Sequence, residues 1–121
     1  MHFDPQVYAL LERGWLVAFA HCRGGGELGA AWHQAGKGPR KWNTYKDFAA
    51  CARLLSDRDP HRGLGVTSPG LMCASGGSAG GLVMGVMANE YPELFAALLM
   101  RWVAHVVGGS VVGCVSASVC T

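Results

Sequence analysis

The chain has 121 residues, half of them hydrophobic, and a formal net charge of +2. That apolar content supplies a core and argues against disorder, while the length holds no more than one domain, a small one for an α/β fold. The near-neutral charge carries no electrostatic footprint for nucleic acid: the one basic cluster, from Lys37 to Lys41, reads as a solvated loop. The five cysteines (Cys22, Cys51, Cys73, Cys114 and Cys120) contain no CxxC pair and read as buried free thiols in a reducing compartment. Met1 to Pro5 shows no basic and apolar leader pattern, so a cytoplasmic location is expected. None of the histidines (His2, His21, His33, His61 and His105) pairs with another ligand at metal spacing, so no metal is expected.

Pro5 to Arg13 reads as a short helix with Val7, Leu10 and Leu11 on one face and Gly14 as its stop. Trp15 to His21 is a continuous apolar run of strand length, the pattern of a strand buried on both faces. Arg23 to Lys41, rich in glycine and containing Pro39, reads as a long loop. Thr44 then opens a helix, with Asp47 three residues on completing a capping-box pattern, and Tyr45, Phe48, Ala52 and Leu55 share a face. Asp57 to Pro69 is a second loop. Gly70 to Ser75 is the next strand, followed by a tight turn, a helix to about Tyr91 stopped by Pro92, and a third strand from Leu94 to Met100. This alternation predicts an α/β fold: a parallel sheet with flanking helices. Residues 1–101 form the folded unit in this reading. Residues 102–121 are an apolar tail with no Asp, Glu, Lys or Arg and no sustained period. Val106 to Cys120 is short, rich in glycine and serine, and lacks basic flanks, so it does not read as a membrane span.

Gly76-Gly77-Ser78-Ala79-Gly80-Gly81 fits Gly-x-Ser-x-Gly between a strand and a helix, the setting of a nucleophile elbow. There a sharp turn lifts a serine hydroxyl above the sheet, and glycines allow close backbone approach or positive φ. Gly24-Gly25-Gly26-Glu27-Leu28-Gly29 competes as a formal Gly-x-Gly-x-x-Gly after a strand, with Asp47 about twenty residues on. A helix beginning at Leu28 would break by Gly36, and Asp47 belongs to a helix rather than a strand end. A dinucleotide site is therefore the weaker reading, and no cofactor is expected.

From Leu10 to about Met100 the chain resembles the catalytic domain of the prolyl oligopeptidase family of serine peptidases. The matching segments are Glu12 to Trp15, His21 to Gly29, Trp32 to Lys37, Asn43 to Phe48, Gly76 to Gly81 and Asn89 to Phe95, in the family's order and spacing. Ala79 after the serine, with Met84 to Asn89 downstream, is similar to the oligopeptidase B branch. The resemblance implies a partial α/β-hydrolase fold and acyl transfer to short peptides, cut after basic residues or after proline depending on the branch. Ser78 takes the position of the nucleophile, and the Ala79 backbone N–H that of one oxyanion donor.

The resemblance also implies parts that this sequence does not contain. The family's propeller and the tyrosine that supplies the second oxyanion donor belong upstream of Met1. The acid and histidine of the triad belong beyond Thr121, on loops after later strands. After Ser78 the only carboxylates are Glu90 and Glu93 and the only histidine is His105, none of them placed for a triad. Resemblance and charge both stop near Arg101, which motivates the hypothesis that the tail is read in a shifted frame or from a retained intron. Transcript sequencing that finds no family pattern in another frame beyond that point would remove it. The expectation is a serine peptidase fragment with little activity by itself, the alternative a non-catalytic truncated product.

Overall fold

The computed structural model describes residues 5–101 and a strand at 115–119. His105 and the rest of the tail lie outside the described residues.

Helix α1 (Pro5–Leu11) ends in a turn in which Gly14 takes φ 80° and Trp15 N donates to Leu10 O at 3.1 Å, the glycine stop expected for it. Strand β1 (Leu16–Ala20) follows. The glycine-rich segment read as a loop contains a five-residue helix, α2 (Ala30–Gln34), and a single 3-10 turn at Gly38–Arg40. Helix α3 (Trp42–Ser56), strand β2 (Met72–Gly77), helix α4 (Ala79–Glu90) and strand β3 (Ala97–Arg101) complete the predicted alternation.

The start of α3 departs from the capping-box reading. The helix begins at Trp42, two residues before Thr44. Thr44 Oγ1 donates to Arg23 O at 2.7 Å, and the Asp47 carboxylate accepts from Arg23 instead of capping. Partners brought in by the fold displaced the local ones, because a charged donor binds a carboxylate more strongly than a backbone N–H exposed to water.

The sheet order is β1-β4-β2-β3, where β4 is Val115–Val119. β2 and β3 pair in parallel from Cys73↔Ala97 to Gly77↔Arg101. β4 runs antiparallel to both β1 and β2, which leaves β1, β2 and β3 all pointing the same way, as predicted. The fourth strand was not expected in the apolar tail. Its signal is an alternation of five residues, Val115-Ser116-Ala117-Ser118-Val119, too short to stand out from a run without charges.

The core lies between one face of the sheet and helices α3 and α4. Met72 and Ala74 from β2 meet Phe48, Ala49 and Ala52 from α3 and Val83, Met84 and Met87 from α4, all buried. Phe48 stacks on Phe95 with ring centroids 5.9 Å apart. Truncating Phe48 to alanine empties the centre of this cluster. We expect a loss of about 3–5 kcal/mol in urea unfolding, whereas Leu54→Ala, exposed on the same helix, stays near wild type. The other face of the sheet is thinly covered: Phe19 and Leu99 remain more than half exposed. No described helix is long and apolar enough to cross a membrane.

Candidate active site

Ser78 sits between the last residue of β2 and the first of α4. Its backbone adopts φ 53°, ψ −117°, and among the described residues it is the only one besides glycine with positive φ. An L-residue held there stores on the order of 1–3 kcal/mol, which persists where the surroundings over-determine the turn. The surroundings do so here. Ser78 N donates to Arg101 O at the end of β3 (3.3 Å), and Gly81 N donates to Ser78 O (3.0 Å), so the turn is tied to the sheet on one side and the helix on the other.

The flanking glycines act through close approach. A Cβ on Gly76 would stand 2.3 Å from Gly80 O, and one on Gly77 3.3 Å from Arg101 O. Positive φ, one of the two reasons glycine suits such turns, falls instead on the serine itself. Ser78→Gly therefore removes strain while adding unfolded-state entropy. We expect a net gain of about 1 kcal/mol in the free energy of urea unfolding, and none for Ser78→Ala, which keeps the Cβ.

Ser78 and Ala79, the two residues expected at the site, are adjacent in sequence and span the passage from β2 into α4. Ala79 is buried and opens α4, where backbone N–H groups lack an intrahelical acceptor and the helix dipole presents its positive end. The side chain of Ser78 makes no hydrogen bond among the described residues. Glu90 closes α4, about 18 Å along the axis at 1.5 Å per residue. Glu93 faces Arg53 at 3.9 Å. His33 Nδ1 lies 2.8 Å from Gly24 O, and His21 pairs with Glu27 at 3.4 Å, so these imidazoles have other partners.

The glycine-rich loop is fastened by a clamp that the sequence reading missed. Asp47 Oδ2 accepts from Arg23 N (2.9 Å) and Nε (2.8 Å), and Oδ1 accepts from the guanidinium at 2.6 Å. Burial alone would raise the Asp47 carboxyl, but the Arg23 hydrogen bonds and charge outweigh it and hold the group below its usual range. Twenty-four residues separate the pair, and nothing in their spacing announces it. Three N–H groups of the loop are engaged internally: Gly24 N on Trp32 O, Gly25 N on Cys22 O and Gly29 N on Gly26 O. A pyrophosphate cradle needs such groups free at the start of a sustained helix, and α2 has five residues. Because β1 and β2 run the same way, this loop and Ser78 emerge at the same, carboxyl edge of the sheet, where open α/β folds bind ligands.

Comparison with known proteins agrees with this geometry. Residues 1–106 match the Prolyl oligopeptidase family. The chain is 44% identical over 97 residues to "Protease 2" of Moraxella lacunata, covering 80% of this chain and 13% of that protein. It is 38% identical over 101 residues to human "Prolyl endopeptidase-like", and 41% identical over 98 residues to "Dipeptidyl aminopeptidase BI" of Pseudoxanthomonas mexicana, again over 13% of each relative's length. No solved structure matches. The family is one of α/β hydrolases, and the sheet, flanking helices and serine turn are a portion of that fold. The chain belongs to the prolyl oligopeptidase family of peptidases.

Proposed function

We propose that Ser78 is the nucleophile of a serine peptidase and that the Ala79 N–H is one donor to the oxyanion. The observation that carries this is the strained backbone of Ser78 on a strand-to-helix turn, inside a chain of a peptidase family. In this mechanism Ser78 Oγ adds to a peptide carbonyl as a base takes its proton. The Ala79 N–H stabilises the oxygen that gains charge, the amine leaves with the proton, and water hydrolyses the ester. The base and acid lie outside the described residues. Substrates are short peptides. The free thiols Cys22, Cys51 and Cys73 support a reducing, cytoplasmic setting.

A chimera tests this reading. Residues 1–101 replace the matching segment of the 44% identical relative, which supplies the remainder of a peptidase. The expected result is fluorophosphonate labelling at Ser78 and peptide hydrolysis, both lost in Ser78→Ala. A folded chimera that neither labels nor hydrolyses would favour the non-catalytic reading, which rests on there being no base beside Ser78 among the described residues.

A further inference from the structure

We propose that Cys22 and Cys51 are a reversible disulfide pair that staples the start of the glycine-rich loop to α3. Cys22 follows β1 and is buried, only 7% exposed. Its neighbour Arg23 is held on α3 from two points, its carbonyl by Thr44 and its N–H and guanidinium by Asp47. Cys51 lies one helical turn beyond Asp47 on the same face of α3. The clamp therefore brings Cys22 to the turn of α3 that carries Cys51, and each thiol shifts the ionisation of the other.

The two sulfurs have different access. Cys51 lines a cavity of about 160 Å³ with Ala18, Ala20, Phe48 and Leu55, and also borders a shallow surface depression with Arg53 and Arg62. An oxidant reaches Cys51 first. The Cys22 side chain holds the Cys51 thiol down to about 7, against burial and the charge of Asp47. Cys22 is pushed up by the Cys51 side chain and by burial. Cys51 is thus the attacking thiolate and Cys22 the resolving thiol.

With oxidised glutathione, the Cys51 thiolate attacks one sulfur of the disulfide and releases a glutathione thiolate. Cys22 then gives up its proton and attacks the Cys51 sulfur of the mixed disulfide, releasing the second glutathione. Two protein thiols lose two protons and two electrons, and one glutathione disulfide becomes two thiols. The product closes a covalent ring from residue 22 to residue 51. That ring contains the whole glycine-rich loop and duplicates the Arg23–Asp47 clamp at the edge of the sheet that carries Ser78. The proposal uses no part of the peptidase mechanism.

The test is oxidation of the folded 121-residue chain in glutathione buffers stepped from reducing to oxidising, read by intact mass and by peptide mapping without reductant. The expected product has lost two hydrogens and yields one linked peptide joining Cys22 to Cys51. Cys22→Ala should stop at a single glutathione on Cys51, and Cys51→Ala should leave Cys22 unmodified. A wild-type chain that links other cysteines first, stops as the Cys51 adduct, or stays reduced under the most oxidising buffer while retaining its circular dichroism overturns the proposal. Because the wild-type chain alone decides it, misfolding of a variant does not rescue it.

Discussion

Expressed by itself, the 121-residue chain should hydrolyse arginine- or proline-ester substrates no faster than the Ser78→Ala chain, and a fluorophosphonate should not label it. The turn is in place, but a serine hydroxyl is a weak nucleophile until a base removes its proton. Glu90 is at the far end of α4, Glu93 is beside Arg53, and His21 and His33 have other partners. Loss of triad members lowers turnover on the order of a million-fold in comparable enzymes, about 8 kcal/mol of barrier. The oxyanion donor proposed at Ala79 would not offset this, since one donor contributes about 3–4 kcal/mol. Ester turnover by this chain that disappears in Ser78→Ala would show a base at the site and overturn the expectation. This outcome and the chimera separate two questions: whether Ser78 is a competent nucleophile, and whether this length of chain activates it.

The second large effect is on stability. Asp47→Ala should cost about 1–2 kcal/mol, because it removes the carboxylate that accepts from the partly exposed Arg23 side chain and from its backbone N–H. The pH dependence follows from the depressed carboxyl. In the unfolded chain Asp47 titrates near pH 4, and in the folded chain lower. Below the unfolded value the unfolded chain takes up a proton that the folded chain does not. The clamp's contribution is therefore complete above about pH 4 and is lost as pH falls through the folded value. Urea midpoints of wild type and Asp47→Asn should converge as pH falls below 4 and separate above it. Parallel curves between pH 2 and pH 6 would mean that the clamp contributes no ionic stabilisation. Asp47→Glu, with its longer reach, should recover part of the loss.

Much of the architecture was legible along the chain because it is written in local patterns. Apolar runs bounded by Gly14, the glycine loop and Pro92 placed β1, β2, α4 and β3 within a few residues. Gly76 to Gly81 marked the serine turn because a strand entering a helix at that angle leaves no room for side chains at its flanks. The short helix α2 was lost among glycines, and the start of α3 was misread. Thr44 and Asp47 carry the chemistry of a helix cap, and nothing nearby in sequence indicates that Arg23 will claim both.

What the sequence determined by itself is the succession α1, β1, α3, β2, α4 and β3, the identity of the turn serine and membership of a peptidase family, all of which depend on residues close together in the chain. The tertiary structure decided the rest. It placed positive φ on Ser78 rather than on a glycine, seated residues 115–119 antiparallel between two parallel strands, and closed the Arg23–Asp47 clamp that brings Cys22 to Cys51. Each of these joins groups more than twenty residues apart or depends on how two elements meet. Hydrogen-bond and packing partners at that separation are chosen by the folded geometry, and no local pattern records them.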